Sequence, residues 1–162
     1  MIIKRALFSK YLLDKYLELF NICFPDSRKF SHKYLKWLYT ENPDGDMIGY
    51  NAYDGEKLIG HYGCIPAKFI INSKHESGLL SLNTAIHPDY QGKGLFITLA
   101  KRTYDSAIKE NYTFVYVVSN AKSTYGFTNK LGFQLVKPLD VLIGIGNLNI
   151  DWNKSNTSAE FY

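Results

Sequence analysis

The chain of 162 residues is 46% hydrophobic and 21% charged, which suits one globular domain with its own core and leaves little room for a second. Its formal charge of +4 is spread along the sequence without a block of like charges, so a nucleic-acid-binding footprint is not indicated. No run of 18 apolar residues occurs and the N-terminus lacks the apolar core of a signal peptide, so we expect a cytoplasmic protein without a membrane segment.

The first third of the chain predicts a strand followed by two helices. Residues 2–6 have strand character, and apolar residues at helical spacing predict a helix over 11–23 that Pro25 ends. Ser31 is placed to cap a second helix over 32–41. Proline, glycine and two aspartates in the stretch NPDGD then require a turn.

The middle of the chain predicts a meander of three antiparallel strands, over residues 47–53, 57–71 and 78–86. Asp54 and Gly55 are typical of a tight hairpin between the first two. Pro66 lies inside the second strand, which favours an edge position or a bulge there. Residues 72–77 are expected to form the turn before the third strand.

The last part of the chain predicts alternating helices and strands, namely a helix over 93–110, a strand at 113–119, a helix from Asn120 to 132, and strands at 133–136 and 139–146. The polar residues 148–162 form a tail without periodicity. This order predicts an α+β (mixed α/β) fold, with a central sheet and helices on both faces.

The stretch DYQGKGLF, residues 89–96, lies where a strand is followed by a helix. Unpaired N–H groups at a helix N-terminus and glycines that allow positive φ together form an anion site, best suited to a phosphate or pyrophosphate. The P-loop pattern is absent and the dinucleotide pattern GxGxxG is incomplete. The pattern that remains is Q/R-x-x-G-x-G/A, which the stretch from Gln91 to Phe96 matches in all but its last position.

Together with NTAIHPDYQGKGLFITLAKRTYDSA at 83–107, two further segments carry a resemblance to a known family: NAKSTYGFTNKLGF at 120–133 and, more weakly, YLKWLYTENPDG at 34–45. On these motifs the chain resembles the GNAT superfamily of N-acetyltransferases from the first strand to about residue 146. The resemblance implies a three-layer domain over 1–147, with a central mixed, mostly antiparallel sheet splayed between the fourth and fifth strands. Residues 148–162 would then be a polar tail.

The resemblance also implies acetyl-CoA as the co-substrate. Its pyrophosphate would be bound by backbone N–H groups of the loop, which consists of Gln91, Gly92, Lys93, Gly94, Leu95 and Phe96. The pantetheine arm would lie along the splayed strand, with backbone hydrogen bonds from Ala85, Ile86 and His87. Asn120 matches the family asparagine near that arm.

Three positions depart from the family pattern. Phe96 replaces a small residue, so its side chain is expected to point away from the phosphates or to cover the adenosine end. Thr128 stands where many members have the tyrosine that protonates the departing thiolate. Tyr125, one helical turn earlier, is the candidate acid, or else a ring packed on the sheet. Asn83 replaces an expected carboxylate and can orient a substrate but cannot act as a base.

The general base is therefore open, with His61, Glu41 and Asp54 as candidates. His61 has a suitable intrinsic pKa, although a histidine hydrogen-bonded on the sheet surface is the simpler interpretation. Five aromatic residues are candidates for a cleft wall or for the core, namely Tyr34, Trp37, Tyr39, Tyr50 and Tyr62. Two cysteines, Cys23 and Cys64, are too few for a disulfide scaffold, and no metal-ligand spacing occurs in the sequence, so no metal is predicted.

These observations favour an acetyl-CoA-dependent N-acetyltransferase that moves an acetyl group directly to a primary amine of a small molecule, an amino sugar or another small amine. A CoA-binding or regulatory module without catalysis is the alternative, since Thr128 and Asn83 replace two expected catalytic groups. A nucleic-acid partner is disfavoured because lysines and tyrosines follow amphipathic spacing. A homodimer is left open.

Overall fold

The computed structural model describes residues 1–136. They contain five strands: β1 (Ile2–Arg5), β2 (Ile48–Asp54), β3 (Lys57–Ile71), β4 (Lys74–Ile86) and β5 (Phe114–Val117). Their helices are α1 (Lys10–Cys23), α2 (His32–Thr40), α3 (Leu95–Lys109) and α4 (Ala121–Tyr125), which continues as a π-helical turn (Gly126–Lys130). A short 3-10 turn spans Pro88–Tyr90.

The five strands form one sheet in the order β1-β2-β3-β4-β5, antiparallel except for the parallel pair β4–β5. The predicted mixed, mostly antiparallel sheet is confirmed. The predicted strand at 133–136 is wrong: these residues are irregular and pair with no strand among residues 1–136, and Val136 is 90% exposed. β-propensity alone does not specify a strand, which also depends on its surroundings. The predicted strand at 139–146 lies outside the described residues.

Local signals explain where several elements begin and end. The Ser31 hydroxyl caps α2 by accepting from the Tyr34 N–H, as predicted. Between β3 and β4, Asn72 and Ser73 have φ of 50° and 62°, the left-handed pair that closes a two-residue hairpin. β4 therefore begins at Lys74, and the turn predicted over 72–77 is too long because its polar residues already belong to the strand.

Pro66 lies at a local edge of the sheet, as its sequence context predicts. β2 pairs with β3 only as far as Cys64, whereas β4 still pairs at Pro66. The Pro66 carbonyl accepts from Asn42 Nδ2 at 2.9 Å, so this side of the residue faces a loop and not a strand. On this side no neighbouring strand would accept a hydrogen bond from residue 66, so the N–H group that proline lacks leaves no strand carbonyl without its donor.

Each face of the sheet has its own core, and helices cover both. On one face α1 and α2 enclose a cluster that includes Leu19, Phe20 and Leu35. On the other, α3 and the π-helical turn enclose a cluster that includes Leu99 and Phe127. Cys64 is buried, Cys23 is half-buried, and neither forms a disulfide.

β4 and β5 part halfway along. β5 pairs with the stretch of β4 from Gly78 to Ser81, and the C-terminal residues of β4, 82–86, continue without it. Beyond the last pair the chain turns away, and Val118 is 65% exposed. This opening between β4 and β5 confirms the predicted splay. Among residues 1–136, no helix combines the length and apolar character that crossing a membrane requires.

Candidate functional site

The glycine loop, residues 87–94, connects the end of β4 to the start of α3. Gly92 and Gly94 have φ of +74° and +73°, a conformation that favours glycine. Gly94 is the N-cap of α3 and supplies no side-chain hydrogen bond to the first helical turn. A Cβ at either glycine would meet no atom within 4 Å, so the backbone here borders open space. The backbone N–H groups of the glycine loop and the positive end of the α3 dipole are therefore suited to binding an anion.

The side chains of the loop fold back and brace it. Gln91 Nε2 donates to the Ile86 carbonyl at 3.1 Å. Lys93 Nζ donates to the Asp89 carbonyl at 3.1 Å and lies 4.8 Å from the centre of the Tyr90 ring. The Tyr90 hydroxyl in turn donates to an Asp54 carboxylate oxygen at 2.6 Å. The loop shape is therefore fixed by its own side chains, which leaves the backbone to meet a ligand.

Leu95 and Phe96, the first residues of α3, point into the core. Leu95 is buried, and the Phe96 ring packs edge-to-face on Phe127 at 5.3 Å and beside Tyr62 at 5.9 Å. A Cβ at Gly126 would approach the Phe96 ring to 2.9 Å, so the glycine of the π-helical turn makes room for it. The unusual phenylalanine thus points away from the loop backbone, the first of the two orientations expected.

The end of β4 presents alternate residues to the two sides. The His87 N–H donates to the Ile59 carbonyl of β3 at 2.9 Å, and strand alternation turns the backbone of Ala85 to β3 as well. Ile86 faces the opening, where its carbonyl accepts from Gln91 and from the Cys23 thiol. The contact of these residues with a cofactor stays a prediction, which this geometry narrows to Ile86.

The His87 side chain, by contrast, belongs to the loop structure. It is 7% exposed, Lys57 Nζ donates to its Nε2 at 2.9 Å, and its Nδ1 accepts from the Asp89 N–H. His87 thereby caps the 3-10 turn that begins the loop. The interpretation of His87 as a turn residue is correct.

Asn83 lies at a bulge in β4. Opposite Tyr62 of β3, β4 inserts two residues, Asn83 and Thr84, and Asn83 has φ of +50°. Asparagine is one of the few residues that tolerates this conformation. The bulge begins two residues after Ser81, the last residue of β4 that pairs with β5. It therefore places the Asn83 side chain beside the opening.

A buried polar chain connects Asn83 to the far side of the core. From Asn83 it runs through Tyr39, His61 and Asn51 to Tyr16. The successive distances are 3.2 Å from Asn83 Nδ2 to Tyr39 Oη, 3.2 Å to His61 Nε2, 2.7 Å from His61 Nδ1 to Asn51 Oδ1, and 2.8 Å from Asn51 Nδ2 to Tyr16 Oη. A Cβ at Gly63 would come within 2.8 Å of His61 Nε2, so this glycine leaves space for the ring.

His61 is completely buried within this chain. Burial lowers the pKa of His61 to about 3, so the imidazole is neutral near neutral pH. The enclosure does not allow direct contact with a bound amine. The role of His61 as a base stays a prediction. The hydrogen bonds of the simpler interpretation are present, but the ring is buried against α1 and α2 and does not lie on the surface.

The other two candidate bases have partners of their own. Glu41 forms an ion pair with Lys36 at 2.7 Å, and an Asp54 carboxylate oxygen accepts from the Tyr90 hydroxyl. Neither is brought next to Asn83 by a contact in the described residues. Neither Glu41 nor Asp54 therefore replaces the carboxylate that was expected at position 83 of β4.

α4 carries the remaining candidates. The Asn120 side chain caps this helix, because its Oδ1 accepts from the Ser123 N–H at 3.0 Å. The Thr128 hydroxyl donates to the Thr124 carbonyl, which supports the interpretation of Thr128 as a capping or packing residue. Tyr125 ends α4 and is 62% exposed, so it is not a ring packed against the sheet. Its role as an acid stays a prediction.

The aromatic candidates for a cleft wall separate into two groups. Tyr39 and Tyr62 are buried core residues, and Tyr50 is half-buried with its hydroxyl 3.0 Å from Ser106 Oγ. Tyr34 is half-buried and Trp37 is 56% exposed, with their rings 6.3 Å apart on α2. These two are the aromatic side chains from that set that remain available to a ligand.

Sequence reasoning missed Asn51, Tyr16 and the role of Tyr39. The available signal is that Asn51 stands at an inward position of the alternating strand GYNAY, where a buried amide needs partners. Within residues 1–136, no group of three or more His, Cys, Asp or Glu side chains comes together that could hold a metal ion.

Comparison with known proteins agrees with this geometry. A family model described as acetyltransferase (GNAT) domain matches residues 7–136. No curated protein matches the sequence significantly. An acetyltransferase of Trypanosoma brucei superposes with a TM-score of 0.67 and 16% identity, over 88% of this chain and 99% of that one.

Two further solved structures share the fold. The aminoglycoside 6'-N-acetyltransferase AAC(6')-IG of Acinetobacter haemolyticus has a TM-score of 0.65 and 18% identity, over 92% of this chain and 100% of that one. Glucosamine-6-phosphate N-acetyltransferase of Arabidopsis thaliana has a TM-score of 0.62 and 9% identity, over 90% and 100%. At such identities the structures establish the fold, while the family match covers most of the sequence. This chain belongs to the GNAT acetyltransferase family.

Proposed function

We propose that the protein is an acetyl-CoA-dependent N-acetyltransferase whose acceptor is a primary amine on a small molecule. The observation that carries this proposal is the opening between β4 and β5 directly beside the glycine loop. An open strand edge suits the amide-bearing pantetheine arm, and the loop backbone suits its pyrophosphate. One fold relative, an aminoglycoside 6'-N-acetyltransferase, was solved in complex with coenzyme A, which supports this donor.

In the proposed reaction the amine nitrogen attacks the thioester carbonyl carbon directly. A C–N bond forms, the C–S bond breaks, the thiolate takes a proton and the amine loses one. Much of the rate enhancement would come from holding the two reactants in contact. We assign Asn83 to orienting the amine and the exposed Tyr125 to protonating the thiolate. The proton from the amine passes to solvent, since His61 is enclosed.

An amino sugar is the acceptor class we favour. The fold relatives named above include enzymes for aminoglycosides and for glucosamine 6-phosphate. Tyr34 lies beside Asn83 on the α2 side, Trp37 is its neighbour on that helix, and aromatic ring faces of this kind stack well on sugar rings. This support is at the level of the chemical class.

Calorimetric titration with acetyl-CoA and CoA tests the donor, and release of free thiol with a panel of amines tests the reaction. The panel consists of glucosamine 6-phosphate, neamine and spermidine. We expect binding of acetyl-CoA and thiol release with at least one amino sugar. Absence of CoA binding at millimolar concentration would refute the proposal.

A CoA-binding module without catalysis is the second candidate. It is favoured by Thr128, whose hydroxyl is bound to the Thr124 carbonyl and is not available as an acid. This candidate predicts CoA binding without thiol release on any amine of the panel. The same two measurements therefore separate the two functions.

A further inference from the structure

The direction of every hydrogen bond in the buried polar chain is set from its far end. The Leu7 carbonyl lies 3.2 Å from the Tyr16 hydroxyl and can only accept, so Tyr16 donates its single proton there. The Tyr16 oxygen must then accept from Asn51, and the only donor on that side chain is Nδ2. The Asn51 carbonyl is thereby turned toward His61 Nδ1, which must carry a proton.

His61 passes this direction on to Asn83. Because the buried imidazole is neutral and its proton is on Nδ1, Nε2 has no proton and accepts. Tyr39 therefore donates its hydroxyl proton to Nε2, and its oxygen accepts from Asn83 Nδ2. One backbone carbonyl of residue 7 thus decides which end of the Asn83 amide is bound, at the opposite side of the core.

The other end of that amide has no partner. Asn83 Oδ1 is buried and makes no hydrogen bond within residues 1–136. A buried acceptor without a donor is unfavourable, and such a group in a native protein calls for a ligand or another explanation. Here the acceptor lies on the bulge beside the opening between β4 and β5. Its complement is a ligand N–H or O–H group, and an amine acceptor supplies the N–H.

The side chain lies on the α2 side of β4, since Nδ2 bonds to Tyr39 of α2. The pantetheine arm would bind the backbone of β4 at Ile86, which faces the opening. The Asn83 side chain would then remain available to the acceptor amine. Oδ1 is covered without ligand, so binding has to uncover it. Burial raises the pKa of the half-buried Tyr34 hydroxyl, and a hydrogen bond with the Asn83 amide partly offsets that rise, which places Tyr34 of α2 beside Asn83.

We propose that Asn83 Oδ1 accepts an N–H of the acceptor amine, and that Tyr39 and His61 are positioning residues that keep this oxygen turned away from the core. The proposal rests on the acetyltransferase function proposed above. In this proposal the polar chain fixes the orientation of the Asn83 amide, so that its oxygen and not its NH2 group is presented to the amine.

The first test is Tyr39→Phe, which removes the hydroxyl that connects His61 to Asn83 and keeps the ring. We expect the KM for neamine or glucosamine 6-phosphate, whichever is acetylated, to rise about tenfold. The KM for acetyl-CoA should stay within twofold. The matched control is Tyr62→Phe, which removes an equally buried hydroxyl, bound to Ser81 and Tyr104 on the opposite face.

Three outcomes would overturn the assignment: an unchanged amine KM in Tyr39→Phe, an equal rise in Tyr62→Phe, or an equal rise in the KM for acetyl-CoA. Each would mean that the chain serves stability alone. If the wild-type protein acetylates no amine, both the proposed function and this inference fail. If the wild-type protein is active and Tyr39→Phe has the same amine KM, the proposed function stands and this inference alone fails.

A second pair of variants addresses Asn83 directly. Asn83→Gly removes the amide at a backbone φ of +50° that glycine tolerates, and we expect the amine KM to rise about thirtyfold. Asn83→Asp keeps an acceptor oxygen but replaces the Nδ2 donor to Tyr39 with a second acceptor, so its amine KM should rise about tenfold, as in Tyr39→Phe. A normal amine KM in Asn83→Gly, or a loss in Asn83→Asp as large as in Asn83→Gly, would contradict the role of Oδ1.

Discussion

On one side of the opening between β4 and β5, the polar groups come from the backbone; on the other side, they come from side chains. The glycine loop has two residues at positive φ and side chains that fold back to brace it. The acceptor side has a chain of five side chains drawn from α1, α2, β2, β3 and β4. A site made of backbone is therefore encoded locally, whereas one made of side chains depends on the whole fold.

The largest effect on the backbone side of the site is expected at Gly94. In Gly94→Ala, the left-handed backbone costs about 1–2 kcal/mol of stability and the new methyl stands over the loop. We expect the affinity for acetyl-CoA to fall about a hundredfold, or about 3 kcal/mol, in calorimetric titration.

Gly55→Ala is the matched control for that variant. Gly55 has φ of +55° and no atom within 4 Å of its Cβ, but it lies in the β2–β3 hairpin. It should lose similar stability and keep its acetyl-CoA affinity. Equal losses of affinity in the two variants would mean that general destabilisation explains both.

The next largest effect concerns the side-chain part of the site, and it is the loss of protein stability at acid pH. His61 has a pKa lowered by burial to about 3, against about 6.5 when unfolded. Its contribution to folding is therefore complete above pH 6.5 and is lost as the pH falls toward 3. Between pH 7 and pH 5 the wild-type protein should lose about 2 kcal/mol more of its free energy of unfolding than His61→Gln does.

Urea denaturation at half-unit pH steps checks this difference. Comparing the two proteins cancels the titration of the other histidines and the carboxylates, which both share. Parallel stability curves from pH 7 to pH 5 would show that His61 does not remain neutral in the folded state.

The fold and the loop were predictable because their signals are local. The hairpin at Gly55, the cap at Ser31 and the glycines of DYQGKGLF each specify a conformation by their own chemistry. The irregular conformation of residues 133–136 could not be predicted in this way, because strand formation depends on pairing that local composition does not reveal. The turn over 72–77 failed for a related reason, since polar residues at an exposed strand end resemble a turn.

The acceptor side could be predicted only in part. Asn83 and His61 were found as individual residues, but their connection runs through Tyr39, 22 positions from His61 and 44 from Asn83. A single sequence does not reveal which buried hydroxyl meets which imidazole. The bulge that turns Asn83 toward α2 depends on the register of β3 against β4, which also lies beyond local pattern.

A smaller effect is expected on α4, where Tyr125 and Thr128 can be compared directly. Tyr125→Phe should lower kcat about tenfold with little change in either KM, because the exposed hydroxyl is the proposed acid. Thr128→Val removes a hydroxyl that is bound to the Thr124 carbonyl, and its kcat should stay within twofold. Steady-state assays of thiol release measure both. The reverse order would reassign the acid to Thr128 or to its surroundings.

The smallest effect on acetyl-CoA binding is expected at Lys93. It should be small because the loop backbone, and not this side chain, is proposed to bind the pyrophosphate. Lys93 Nζ is bound to the Asp89 carbonyl and lies over the Tyr90 ring, so its charge is directed at the loop and not at open space. If the backbone carries the pyrophosphate, Lys93→Gln should weaken acetyl-CoA binding less than fivefold, with a loss that shrinks further as salt screens the exposed charge. Titrations at low and high salt measure this. A loss as large as that of Gly94→Ala would mean that a side chain holds the phosphates, and the division between a backbone half and a side-chain half of the site would no longer stand.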